Sequence, residues 1–214
     1  MTYMTPAISH SEQTDVRRQV LDAAIDIISR EGVEHVSMRE VARRAGVSHQ
    51  APYHYFGDRA GIFASIAEEG FRALAEEFRR INTGNIDDLV DKTFRAYVTF
   101  GLTHTGHFRI MFRSDLCGFH THPDTATQAS NAYEELLNTV HHLTGYPTDS
   151  EEASTWASFL WSTAHGFATL ITDGPLINKL PDSVTFENHL NHMAKLVAST
   201  TEEHVSRIRT THAK

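Results

Sequence analysis

The groups able to do chemistry lie closest together between Arg39 and Arg59. Ser48, His49 and Gln50 are consecutive, Tyr53, His54 and Tyr55 come one helical turn later, and Arg39 and Arg59 flank the run. A glutamine amide can pair with adenine through two hydrogen bonds, and an imidazole can donate to a guanine acceptor. A phenol can give its O–H to a phosphate or its ring face to a thymine methyl. Arg39 and Arg59, placed near helix N-termini, suit phosphate contacts, which set register without reading sequence. Arg17 and Arg18, upstream, can grip backbone in the same way.

Other reactive groups form weaker patterns. His104 and His107 stand three apart, His189 and His192 repeat that spacing, and Cys117, His120 and His122 share a short glycine-containing stretch. Imidazole and thiolate suit zinc or copper. With one cysteine, no Cys-x-x-Cys and histidines scattered along the chain, these read as loop and surface residues; no metal and no cofactor are expected. Gly-x-Ser-x-Gly, His-Glu-x-x-His, a phosphate-binding glycine loop and a dinucleotide fingerprint are all missing, so nothing points to an enzyme.

The elements that must position the first cluster can be read from the pattern. Val16, Val20, Ala23, Ala24, Ile27 and Ile28 recur at three- and four-residue spacing, one stripe of an amphipathic helix. Gly32 suits a helix C-cap. Ser37 followed by Glu40 is a capping box opening a short helix, Met38 to Arg44. Gly46 permits a tight bend, and Ser48 is expected to cap a second short helix ending at Phe56. Two short helices joined by such a turn are a helix-turn-helix, whose second member enters the major groove. Pro52, as fourth helical residue, predicts a tight, 3₁₀-like first turn, and Phe56 is the ring expected in the small core. Asp58 caps a long helix, 59–81, that connects this unit to the rest; Gly84 and its neighbours mark the junction.

Further helices are expected at about 86–104, 107–112, 125–143, 151–172 and 184–209, with breaks at Gly106, Gly118, Gly145 and Gly174. The fold class is therefore all-α, about nine helices: a mobile arm at 1–14, a three-helix DNA-binding domain at 15–60, and a larger helical domain at 82–214. A lone helix-turn-helix binds weakly, and linking two half-sites requires a dimer. The last two long helices are the candidates, through Trp156, Leu160, Phe167 and Leu170 on one and Leu190, Met193, Leu196 and Val197 on the other. A pocket for a small lipophilic ligand needs apolar walls with a few polar groups. Phe94, Tyr97, Phe100, His104, Met111, Phe112, Tyr133, Leu137, Phe159 and His165 are the candidates, with Tyr97, His104 and His165 foremost.

The segment Val16–Phe63, with its stretch SMREVARRAGVSHQAPYHYFGDRAGIF, resembles the DNA-binding region of the TetR family, with Arg59 where that family usually has lysine. Leu160–Gly166, with Tyr97–Leu102 and His107–Phe112, resembles the WHG group of TetR C-terminal domains. The resemblance implies a homodimeric regulator, released from a double-stranded operator by a small molecule. An activator would share every residue with a repressor.

Composition fits that expectation. The formal charge is −8, with 19 basic against 27 acidic side chains, which excludes a general nucleic-acid coat. Residues 1–59 are nearly balanced, seven basic to eight acidic, so the acid excess lies elsewhere. No run of eighteen apolar residues and no apolar leader is present, and the lone Cys117 fits a reducing compartment, so a cytoplasmic protein without membrane contact is expected.

Overall fold

The computed structural model describes the backbone of residues 10–82 and 88–212, and the side chains of 15–82 and 88–207. The order is α1 (His10–Arg30), a 3₁₀ turn (Val33–His35), α2 (Met38–Ala45), α3 (Ala51–Phe56), α4 (Arg59–Asn82), α5 (Leu89–Thr103), α6 (Thr105–Met111), α7 (Ser114–Cys117), α8 (Pro123–Thr144), α9 (Glu151–Thr172), a 3₁₀ turn (Ile177–Lys179) and α10 (Phe186–His212). Every regular element among the described residues is helical, in agreement with the all-α expectation. Helix α1 begins earlier than expected, so residues 10–14 are helical; the first nine positions and the junction at 83–87 lie outside the described residues.

The chain forms two compact units. One holds the residues up to Glu69 together with Gly106–Ala126; the other holds Gly70–Thr105 and the residues from Thr127 onward. Placing 106–126 in the first unit corrects the boundary drawn at 82, and the reason is steric and polar. Gly106 does not break a helix but sits inside α6. A Cβ there would lie 2.6 Å from Ser29 Oγ and 2.8 Å from the Ile25 carbonyl, so only glycine lets α6 come this close to α1. Arg109 donates to the carbonyls of Ile28 and Ser29 at 2.9 and 3.1 Å, satisfying the C-terminal end of α1. Thr125 Oγ1 donates to the Ala64 carbonyl at 3.0 Å, and the Cys117 thiol lies 3.8 Å from that of Phe63. Met111 and Phe112, expected in a ligand pocket, belong here too. Met111 is fully buried, and Phe112 meets Phe108 edge-on at 5.6 Å.

In the first unit α1 buries Val20, Leu21, Ala24, Ile27 and Ile28 with Met38, Val41 and Ala42 of α2. In the second unit α5 is central and packs on both α9 and α10. Phe94 meets Phe167 of α9 at 5.7 Å, Tyr97 stacks on Phe78 of α4 at 6.3 Å, and Arg95 hydrogen-bonds Asn191 of α10. Helix α9 starts where Ser150 Oγ accepts the Ala153 N–H at 3.1 Å, matching the expected start at 151.

Candidate functional site

The helix-turn-helix geometry follows from local sequence. Ser37 Oγ accepts the Glu40 N–H at 3.2 Å and opens α2. Gly46 closes it in the left-handed conformation, φ 67°, where its N–H reaches the carbonyls of Ala42 and Arg43. Ser48 does not cap α3, contrary to expectation. The residues after the turn instead form a bend in which Ala51 N–H donates to the Ser48 carbonyl at 3.0 Å, and α3 opens at Ala51. Pro52 thereby falls in the first helical turn, where its missing N–H has no partner to lose. The same shift frees the Ser48 hydroxyl from a capping role.

What α3 presents is decided by two anchors. Pro52 and Phe56 are buried, and Arg17 lies over the Phe56 ring at 5.2 Å. Pointing away from them, Ser48, His49, Gln50, Tyr53 and His54 are exposed, with Tyr55 partly so. Tyr53 is 52% exposed, an unusual position for a large ring unless it is kept for a partner. No carboxylate occurs from Val41 through Gly57, so nothing on this run repels phosphate. Arg39 is exposed at the start of α2.

Three arginines expected on the DNA backbone are occupied otherwise. Arg59 donates to the Val33 carbonyl at 2.6 Å and covers the Phe63 ring at 4.8 Å, tying α4 to the 3₁₀ turn. Arg18 is bound to Asp22 and to both carboxylate oxygens of Glu69, and Arg17 reaches Ser65 as well as the Phe56 ring. Arg43 and Arg44 share Glu40, and their hydrogen bonds hold its carboxyl down at about 2.

The second unit contains a small cavity of about 20 Å³, bounded by α4, α5, α8, α9 and α10. Of the expected ligand residues, Phe94 and Tyr97 line it. His165 is joined to it, its Nδ1 2.8 Å from the Tyr97 hydroxyl, and Trp161 Nε1 donates to the same hydroxyl at 3.0 Å. Burial keeps the His165 imidazole neutral by lowering its pKa, and pushes that of the Tyr97 phenol up. Tyr133 touches the Trp161 ring at 6.2 Å. Phe100 and His104 stack on each other at 4.5 Å, away from the lining, and Leu136 rather than Leu137 faces the space. Phe159 is not inside at all but on the outer face of α9. Thr93, absent from the expectation, does line the cavity. A threonine among apolar helix residues carries no signal of its own in sequence.

The expected dimer residues also divide. Leu160, Phe167, Leu190 and Val197 are buried within the unit, so they belong to the core of this chain. Leu170 and Leu196 stand out, with Phe159, while Trp156 and Met193 are half-buried. Phe159, Thr163, Gly166 and Leu170 repeat at four, three and four residues along one face of α9. A Cβ at Gly166 would meet nothing within 4 Å. Beside this face an open groove of about 470 Å³ runs between α9 and α10, floored by Trp156, Phe159 and His204.

Two family models match the sequence. Residues 20–66 match the one described as bacterial regulatory proteins, tetR family, and 90–193 the tetracyclin repressor-like C-terminal domain. The chain belongs to the TetR family. No narrower C-terminal group is distinguished by these matches.

The curated relatives match only part of the chain. The HTH-type transcriptional repressor KstR of Rhodococcus jostii (strain RHA1) is 37% identical over 76 residues, 36% of this chain and 32% of that protein. This TetR-family chain thus spans about a third of the length of such curated relatives. Among solved structures, a protein of unknown function from Rhodococcus sp. RHA1 has a TM-score of 0.68 at 24% identity, covering 88% of this chain and 94% of its own. A transcriptional regulator from Rhodococcus sp. Rha1 has a TM-score of 0.66 at 21% identity, covering 87% and 95%. Both share the fold. Among the described residues, no helix is long and apolar enough to cross a membrane, and no three His, Cys, Asp or Glu groups gather as a metal site. Cys117, expected beside His120 and His122, is buried, its thiol pushed up to about 12 by desolvation and so unsuited to bind metal as thiolate.

Proposed function

We propose that this TetR-family protein is a homodimeric, sequence-specific repressor that leaves its operator when a small apolar molecule binds the second unit. The observation that carries the reading is α3. Two buried anchors fix a short helix, and the polar side chains on it and just before it, His49, Gln50, Tyr53 and His54, are exposed in a run that holds no carboxylate from Val41 through Gly57. That is the arrangement a major-groove reader needs. Gln50 and His49 take base edges, and Arg39, Ser48 and Tyr55 take phosphate.

Dimerisation places two reading heads on one duplex, and the outer face of α9 and α10 supports it. Phe159, Leu170 and Leu196 are large apolar groups left in water on adjoining helices, and Gly166 between them permits close helix approach. An isologous four-helix interface covers all of them. Helix α4 starts in the reading unit and ends in the unit with the cavity. We assign it the transmission of ligand binding, which requires the ligand to favour the conformation that does not fit DNA.

Anisotropy titration with duplex from the region flanking the gene tests the reading. Binding should saturate, resist unrelated competitor duplex, and fall by about a thousandfold or more between about 50 and about 200 mM salt. Salt-insensitive binding, or none, rejects it.

A further inference from the structure

Among the described residues four threonines are buried, and three have evident partners. Thr125 donates to the Ala64 carbonyl, Thr139 to the side-chain Oδ1 of Asn82 and the Glu135 carbonyl, and Thr201 to the carbonyl of Val197 one turn back. Thr93 differs. Only 7% exposed in the middle of α5, it lines the cavity, yet its hydroxyl oxygen has no hydrogen-bond partner among the described residues. A helical threonine can always return its hydroxyl to the preceding turn, and leaving it unpaired costs about 1–3 kcal/mol. An orphaned polar atom facing an internal space marks a place where something else supplies the bond.

We propose that this cavity seats an uncharged, mainly apolar molecule bearing one hydrogen-bonding oxygen, with the Thr93 hydroxyl as its polar anchor and the Trp161 indole as the wall that moves to admit it. The assignment rests on the reading of the second unit as the ligand-sensing one, and adds the class of ligand.

The lining argues each part. Phe78, Phe94, Tyr97, Leu160 and Trp161 supply apolar and aromatic surface. As it stands the space of about 20 Å³ holds one water-sized group, enough for the oxygen of a ligand but not for its body. A wall must therefore move. Trp161 is the candidate, because 38% of it is already exposed on the outer side of α9 and its indole N–H rests on the Tyr97 hydroxyl. The remaining aromatic walls are held deeper, Phe78 and Phe94 being almost fully buried.

Charge is excluded by what the walls lack. None of the lining residues is an acid or a basic group. The nearest polar system runs from the Trp161 N–H to the Tyr97 oxygen and on to His165 Nδ1, and burial keeps both Tyr97 and His165 neutral. A carboxylate or ammonium entering here would be desolvated without a counter-charge.

Three matched probes test this on the intact protein: 4-propylphenol, propylbenzene, which lacks the oxygen, and 4-propylbenzoate, which is charged. By calorimetry and thermal shift, the phenol should bind saturably and raise the unfolding midpoint. Propylbenzene should bind about five- to tenfold more weakly, the worth of one hydrogen bond, and the benzoate should not bind. Thr93→Val removes an unpaired hydroxyl at nearly constant volume, so it should fold, lose that preference for the phenol and leave propylbenzene affinity unchanged. Thr93→Ser should restore the preference. Equal affinity for phenol and propylbenzene, binding of the benzoate, no saturable phenol binding, or a phenol affinity indifferent to Thr93→Val overturns the assignment. Operator release is read separately. Phenol binding without any effect on DNA leaves this seat standing and rejects the sensing role.

Discussion

The backbone of Gly61 lies so close to the carbonyl of Phe56 that a Cβ at position 61 would stand 2.0 Å from the Phe56 oxygen. Asp58 Oδ1 accepts the Gly61 N–H at 2.9 Å, and Gly57 turns the chain at φ 74°, so the first turn of α4 is folded back onto the last residue of α3. The clash would be with backbone, which has no rotamer to yield. Gly61→Ala should therefore shift the end of α3, costing about 1–3 kcal/mol or more and weakening DNA binding together with the melting temperature. A circular-dichroism melt indistinguishable from wild type would mean the helix pair is not held this way.

Residues that read DNA should behave differently, changing binding and leaving stability alone. Gln50→Ala should cost about 1–3 kcal/mol of operator affinity and relax preference at one base position. Arg39→Ala should weaken all duplexes alike and reduce the log–log salt slope by about one. Titrations over a set of single-base operator variants at two salt concentrations separate the two outcomes, and identical behaviour of the two mutants would contradict the division of labour.

Arg59 offers a contrast, because its guanidinium is spent on the Val33 carbonyl and the Phe63 ring. Arg59→Met should lower unfolding free energy by about 1–2 kcal/mol through the lost hydrogen bond and cation–π contact, with the salt slope of DNA binding unaltered. If the slope falls as it does for Arg39→Ala while the melt is unchanged, Arg59 is a phosphate ligand after all.

On the outer face of α9 and α10, Leu196 is 60% exposed and Leu190, six residues earlier, is buried. Leu196→Glu should yield a folded monomer by sedimentation and lose most operator affinity, since linked half-sites contribute far more than one. Leu190→Ala should instead lower stability by about 2–5 kcal/mol by opening a cavity. A Leu196→Glu protein that still sediments as a dimer would place the interface elsewhere.

The pH dependence carried by His165 has a definite sign. Burial lowers its pKa in the fold below the ordinary 6.5, so at mildly acid pH the unfolded chain takes up a proton that the folded one does not. Stability tied to this residue is complete above about 6.5 and declines as pH falls from there toward the lowered folded value. His165→Asn keeps an acceptor near the Tyr97 hydroxyl but cannot titrate, so it should flatten the decline between pH 7 and about 5 relative to wild type in urea denaturation. Parallel curves for the two proteins would rule this out.

Much of the reading head was legible because its signals are local. The Ser37–Glu40 cap, the Gly46 turn, the Asp58 cap and the burial of Phe56 each depend on a few adjacent residues, and all appear in the structure. Pro52 differs from expectation by register, since a start at Ala51 rather than at the turn makes it harmless. Gly61 and Gly106 carried no readable cue, because a glycine demanded by close approach looks in sequence like any other. The apolar residues of α9 and α10 could be recognised as buried or interfacial, but an amphipathic pattern does not say which neighbour covers each one. Spacing therefore gives Leu160 and Leu170 the same expectation although one is core and the other bare.

By itself, then, the amino-acid order determined that the chain is helical, where nine of the ten α-helices among the described residues lie, and which short helix carries exposed imidazole and phenol groups. These properties follow from spacing at 3.6 residues per turn and from caps that act within four residues. Tertiary structure alone decided that 106–126 joins the unit of α1–α3, that Arg59 and Arg18 are bound by other groups of that unit, and that Thr93 faces a cavity unpaired. Each of these depends on which atoms meet across tens of residues of chain, and side-chain chemistry sets what a group can bind without setting what stands beside it.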